Sequence, residues 1–197
     1  MRASISACPT AVVWFSACLF LTAALGGCNR DPALALAEKL QDEDPKVRYK
    51  AAKSLDEMGP LAEAALPALA EALSDDDPKV RYRAAKALSK LGQSVSEAVP
   101  ELALVLKDPD PQVRYFAARA LADVGADAGD AVPALAESLN QPESQKARYH
   151  LIKALRHAGN KAQPAIPALQ QAAQDPDSRV REAAEKTLKK LEKDGAA

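Results

Sequence analysis

The chain has 197 residues, of which 26 are basic and 27 acidic, giving a net charge of −1, and only 4 % of its residues are aromatic. That balance argues against a nucleic-acid partner, because phosphate-binding domains usually carry a clear basic excess. The scarcity of rings rules out a bulky aromatic core, and the one tryptophan, Trp14, lies in a front segment unlike the rest, leaving the remainder no large platform for stacking sugars or bases.

Residues 1–28 hold one charged side chain, Arg2, and residues 11–25 form an almost unbroken apolar run that ends in Leu25-Gly26-Gly27-Cys28. A short basic start, an apolar stretch and small residues before a cut describe a secretory signal. An uncleaved anchor is the competing reading, but the run falls short of the roughly 20 residues a spanning helix needs. All three cysteines, Cys8, Cys18 and Cys28, lie in this segment. A chain cut before Cys28 keeps a single thiol, which in an exported protein is suspicious unless something occupies it. Residues 25–28 resemble the lipobox of bacterial lipoproteins. The resemblance implies a signal peptide over 1–27, lipid on Cys28, a tether over 28–32 and a place on the periplasmic side of the cell envelope. Asn29, standing where aspartate marks inner-membrane retention in enteric bacteria, favours the outer membrane. Removing residues 1–27 takes away Arg2 alone and leaves 25 basic and 27 acidic residues.

From residue 33 onward a block of about 33 residues recurs. Val47-Arg48-Tyr49-Lys50-Ala51-Ala52 returns at Val80, at Val113, as Ala147-Arg148-Tyr149 and finally at Val180. Self-similarity at this period means a stacked array. A half-repeat (33–43) comes first, with Leu36, Ala37 and Leu40 in helical register. Units 44–76, 77–109, 110–142 and 143–176 follow, then a terminal helix over 177–193 and a tail over 194–197. Each unit reads as two helices. Asp44-Pro45, Asp77-Pro78 and Asp110-Pro111 open the first, the aspartate capping free amides and the proline sitting where no donor is needed. Gly59, Gly92, Gly125 and Gly159 fit the left-handed position that ends it. Pro67, Pro100, Pro133 and Pro167 fit the first turn of the second helix. About ten helices are expected in all. At the back end Glu182 and Glu185 replace the tyrosine and second-alanine positions, as a terminal cap requires when no further unit packs on it.

This unit, D-P-x-V-R-x-x-A-A-x-A-L-x-x-x-G followed by A-x-P-A-L-x-x-A-L, resembles the short HEAT-like repeats of the phycobilisome-lyase type. The resemblance covers residues 31–193 and implies an all-α solenoid of stacked helix pairs. In such arrays the second helices line the concave side. Their outward position falls at Glu38, Glu71, Leu104, Glu137 and Gln171, with Asp42, Asp75, Asp108 and Asp175 one turn further on, at the rim. This is the candidate partner-binding surface, read against the alternative of an ordinary polar face. A groove lined by one sign of charge favours basic segments of a partner. A second set of residues reads as structural glue. Asp44, Asp77, Asp110 and Asp177 each precede an arginine (Arg48, Arg81, Arg114, Arg181) by four residues, within reach on one helix face, and Arg148 continues the column. HEAT relatives stack such residues into an Asp–Arg ladder between units. Lys53, Lys86, Arg119, Lys153 and Lys186 form a further column, read as a solvated outer face.

Signals of chemistry are scarce. His150 and His157 are the only histidines, and seven helical residues separate them by about 10.5 Å of rise, too far to share a metal. There is no H-E-x-x-H, glycine-rich phosphate loop or G-x-S-x-G. No catalytic residue, metal site, cofactor or small-molecule substrate is expected. The leading expectation is a non-catalytic scaffold or adaptor, lipid-tethered at the envelope, that binds a protein. The alternatives are an accessory subunit of an envelope enzyme of lyase or hydroxylase type, and a passive spacer.

Overall fold

The computed structural model describes residues 31–195, so the signal segment, Cys28, most of the tether and the end of the tail lie outside the described residues. Ten α-helical segments are present among those described: α1 (Pro32–Lys39), α2 (Pro45–Met58), α3 (Leu66–Glu71), α4 (Pro78–Leu88), α5 (Val99–Leu104), α6 (Pro111–Val124), α7 (Val132–Leu139), α8 (Gln145–Ala158), α9 (Ile166–Ala172) and α10 (Ser178–Gly195). Only seven of them reach eight residues, because part of each second helix is wound more tightly. A seven-residue 3₁₀ stretch runs into it: Gly59–Ala65, Gly92–Ala98, Gly125–Ala131 and Gly159–Ala165.

Local signals explain the boundaries. The Asp44 carboxylate accepts from the Lys46 amide at 2.8 Å, and Asp77 and Asp110 do the same for Lys79 and Gln112. Ser144 takes over in the fourth unit, accepting from the Ala147 amide. Helix α2 ends at Gly59 with φ 58° and ψ −128°, and α6 ends at Gly125 with φ 81° and ψ −129°. The expected positive φ is there, but ψ lies far from the left-handed helical value. It matches the first central position of a type II′ turn, which is dominated by glycine, asparagine and aspartate. A Cβ at either glycine would meet nothing within 4 Å, so the requirement is one of backbone conformation and not of space. The four prolines sit in the first turn of α3, α5, α7 and α9, where the missing donor costs nothing.

The first helices α2, α4, α6, α8 and α10 contact one another in succession, and α3, α5, α7 and α9 form a second succession beside them. Between these two layers lies one continuous apolar core. Leu55, Leu69, Leu88, Leu102, Leu121, Leu135, Leu155 and Leu169 are fully buried in it, with the alanine pairs on the facing helices. Burying one such leucine contributes roughly 1.5–3 kcal/mol, against a backbone ordering cost of roughly 1–2 kcal/mol per residue. A single helix pair therefore does not close its own balance, and stacking supplies the rest. The last helix shows the rule by exception. Ala52, Ala85, Ala118 and Ile152 are all buried by the unit that follows, whereas their equivalent Glu185 is exposed, as is Glu182.

The Asp–Arg ladder exists with different partners from those the spacing suggested. Arg48 reaches Asp75 twenty-seven residues on, in a bidentate pair at 2.6 and 2.9 Å, and not Asp44 four residues back. Arg81 pairs with Asp108 at 2.7 Å, Arg114 with Glu143, and Arg148 with Asp175 at 2.7 Å. Asp44, Asp77, Asp110 and Asp177 are occupied as helix caps, which is why they are not the arginine partners. Each arginine also donates from Nη1 to carbonyls of its own inter-repeat loop, as Arg81 does to Asp75 and Asp76. Each acceptor carboxylate of the aspartate rungs binds the amide two residues on, as Asp108 binds Asp110. The result is a spine of loop carbonyl, guanidinium and next-loop carboxylate that repeats along the array. It corrects the rim reading too. Asp75, Asp108 and Asp175 retain at most 9 % side-chain exposure and face arginines rather than a partner.

Burial of the aspartate pushes the Asp75 carboxyl up, but hydrogen bonds from Arg48 and the Asp77 amide outweigh this and hold it below the ordinary carboxylate range. A carboxylate with a lowered folded pKa stabilises fully above its unfolded value near 3.9, and that stability is lost as pH falls through the lowered value. Removing one partner of a buried pair typically costs about 3–5 kcal/mol, whereas replacing both by apolar residues is often near neutral. Asp108→Ala should therefore destabilise by about that amount, and Arg81→Met combined with Asp108→Leu by less, both read by urea unfolding. A single change costing under about 1 kcal/mol, or a double change costing more than the single, would count against the spine.

Candidate interaction surface

All five expected contact residues lie on the second-helix layer, one per unit, and all are exposed: Glu38 on α1, Glu71 on α3, Leu104 on α5, Glu137 on α7 and Gln171 on α9. Leu104 stands out at 73 % exposure. Single exposed leucines are ordinary on protein surfaces, and Leu61 is as open at 77 %, so what makes Leu104 a candidate anchor is its place in register in the middle of an acidic row. Two of the carboxylates already have neighbours across the repeat boundary. The Gln41 amide donates to Glu71, and Lys107 Nζ lies 2.8 Å from Glu137. Lys107 and Glu137 are both more than half exposed, so water screens that pair and it adds little rigidity.

Beside each of these two carboxylates the repeat boundary opens into a shallow groove. One, of about 310 Å³, is lined by Gln41, Arg48, Glu71 and Asp75 among others. The other, of about 420 Å³, includes Lys107, Arg114, Glu137 and Glu143. Both have a rung of the spine as their floor, so the second-helix row and the spine are adjacent parts of one surface.

The opposite layer is less solvated than its sequence suggested. Lys86 lies 3.4 Å from Asp56, and Lys153 lies 2.8 Å from Asp123, so two members of the lysine column are half-buried inter-repeat contacts. Asp56 is 2 % exposed and serves Arg83, Lys86 and Lys90 together. Burial pushes its carboxyl up, yet the bonds from Lys90 and Arg83 prevail and hold it below the ordinary range. The tyrosine column was visible in the sequence, but its partners were not. From the second full unit onward, the side chain one place after the tyrosine reaches back to the preceding unit. Arg83 lies over Tyr49 and Tyr82, Phe116 meets Tyr82 edge-on at 5.6 Å, and His150 meets Tyr115 at 5.6 Å. Because Lys50, Arg83, Phe116 and His150 differ in type, no single motif marks that column.

The histidines are placed apart. His150 stands edge-on between Tyr115 and Tyr149, and burial, aided by Lys153, pushes it below its ordinary value. His157 Nδ1 lies 2.9 Å from the Ala122 carbonyl, where a protonated nitrogen donates. Among the described residues no group of three or more His, Cys, Asp or Glu is arranged to hold a metal, and no helix is long and apolar enough to cross a membrane.

With this geometry in view, the chain can be placed among known proteins. The family described as HEAT repeats matches residues 33–104, 66–156 and 132–197. No curated protein is a significant match. Among solved structures, an engineered protein aligns with a TM-score of 0.69 at 23 % identity, over 82 % of this chain and 80 % of its own. The CpcE–CpcF complex of phycocyanin lyase from Nostoc sp. PCC7120 aligns at 0.65 and 31 % identity, over 83 % of this chain and 66 % of that one. A designed armadillo repeat protein in complex with the peptide (KR)4 aligns at 0.68 and 19 % identity, over 79 % and 80 %. The repeated helix pairs, the shared core and the family match over residues 33–197 together make this chain a member of the HEAT repeat family.

Proposed function

We propose that this chain is a non-catalytic protein-binding scaffold, held at the bacterial cell envelope by lipid on Cys28, on the periplasmic side and at the outer membrane. Its second-helix row of Glu38, Glu71, Leu104, Glu137 and Gln171 receives the partner. The observation that carries this reading is the exposed Leu104 flanked in register by Glu71 and Glu137, an apolar anchor within an acidic row. Basic segments suit that row, since like charge brought to an interface costs several kcal/mol and opposite charge steers encounter. A (KR)4 peptide is the partner named for one designed array of this fold. The second reading is an accessory subunit of an envelope enzyme, lacking an active site of its own. Its support is the 31 % identity to a lyase complex.

The tether rests on the lipobox resemblance of residues 25–28. Burial of acyl chain contributes about 0.8 kcal/mol per CH₂, so two chains hold firmly where one is marginal. Cys28→Ser should give a protein that takes up no labelled fatty acid, whereas equal labelling of both forms would exclude lipid at this position.

Binding is tested by reversing the row. Glu71→Lys with Glu137→Lys makes its middle basic while leaving every core position intact, and exposed changes of this kind usually alter stability by less than about 0.5 kcal/mol. Pull-down from envelope extract should lose the partner. Lys50→Glu with Lys146→Glu, on exposed sites of the other layer, is the matched control and should keep it. Retention by the first pair and loss by the second would move the site to the first-helix layer. Activity that follows the captured partner, and falls without this chain, would favour the accessory-subunit reading.

A further inference from the structure

The near-neutral net charge conceals a division between the two layers. The five first helices hold 20 Lys and Arg against 7 Asp and Glu. The second helices and their 3₁₀ stretches hold 8 Asp and Glu against 3 Lys. Four of the first-layer arginines are neutralised within the spine, at Asp75, Asp108, Glu143 and Asp175. The remaining sixteen still exceed the seven acids of that layer. Asp56 sharpens the excess locally, because three cations share its one carboxylate.

The surplus is laid out in two dimensions. Along one helix the outward positions recur every turn, as Lys46, Lys50 and Lys53 do on α2. Across the layer one position is basic in every unit, Lys53, Lys86, Arg119, Lys153 and Lys186. Lys86 and Lys153 turn into the boundary pairs with Asp56 and Asp123, while Lys53 and Lys186 pair with Glu57 and Glu182 on the exposed surface of their own helices. On α2 these outward positions span about 10.5 Å at 1.5 Å per residue. Five helices about 8–10 Å apart add roughly 40 Å of width. A linear polyanion presents its charges along a line, whereas an anionic bilayer presents them over a plane. Tyr49, Tyr82 and Tyr115 are half-buried among these cations and Tyr149 is 42 % exposed. Tyrosine is enriched at membrane–water interfaces, where its ring is apolar and its hydroxyl wet.

We propose that the outer face of the first helices docks on an anionic phospholipid surface, which lays the array along the membrane and turns the acidic second-helix row away from it. The contact is electrostatic and peripheral, with lysine stems lying over the tyrosines and ammonium groups at the lipid phosphates. It needs neither lipid on Cys28 nor a protein on the second-helix row.

The test uses the full chain with vesicles of phosphatidylcholine, alone or with about 30 % phosphatidylglycerol, and follows lysine acylation residue by residue. Lys50, Lys53 and Lys186, exposed on the outer face, should react at least about fivefold more slowly on the anionic vesicles than on the neutral ones. Lys39 and Lys161, on the second layer, should react equally on both. Raising salt to about 1 M, where the screening length is about 3 Å, should erase the difference. Equal reactivity of the three first-layer lysines on both lipids overturns the proposal, as does equal protection of Lys39 and Lys161. Protection that appears without vesicles as protein concentration rises also overturns it, because that is self-association. Protection produced instead by a short DNA duplex assigns the face to nucleic acid. The Glu71 and Glu137 reversals leave these lysines in place, so this proposal and the partner-binding reading fail separately.

Discussion

The guanidinium that joins one inter-repeat loop to the next is the constraint on which the surface depends. Arg48, Arg81, Arg114 and Arg148 each hold a carbonyl of their own loop and a carboxylate of the following one. That double hold sets how far one helix pair is shifted against its neighbour. A shift of a single residue would turn the alanines that let the helices approach out of the core. Stability comes mainly from apolar burial, since buried ion pairs spend most of their Coulomb gain on desolvation. What the spine contributes is register: Glu71, Leu104 and Glu137 fall into one row, and Lys53, Lys86 and Arg119 into another, because every boundary is made alike.

Much of this was legible in the residues. The period of about 33 gave the array, Asp-Pro gave the helix starts, the glycines gave the ends, and Glu182 with Glu185 marked the open face. These are local signals, each decided within a few residues of the chain. The pairing of the spine was misjudged for the converse reason. Two aspartates stand two residues apart before each of the first three arginines, as Asp75 and Asp77 do before Arg81, and the nearer one is within helical reach. Only the packed array shows that the nearer aspartate is consumed as a cap and the farther one faces the preceding unit. Glu143 was missed as a rung because the fourth unit is one residue longer and the acid changes type.

The two layers also differ in how far sequence could describe them. The second-helix row is exposed at every position assigned to it, since an outward position on a short amphipathic helix follows from periodicity alone. The first-helix layer needed the structure. Lys86 and Lys153 are drawn into inter-repeat pairs, and Asp56 is buried beneath three cations, none of which spacing along one helix reveals. The outcome is a molecule with an acidic, partly apolar face and a basic, tyrosine-bearing face back to back. The two layers of one array thus present surfaces of opposite charge.

The central claim is that residues 33–193 form an array in which each unit depends on its immediate neighbours. Hydrogen exchange of the full chain under native conditions tests this most directly, because local opening reports the stability of each segment separately. Protection should peak in α6 and the flanking α4 and α8, which have a unit on either side, and fall toward α1 and α10. Equal protection from α1 to α10, lost in a single step, would mean one closed core and would contradict the account.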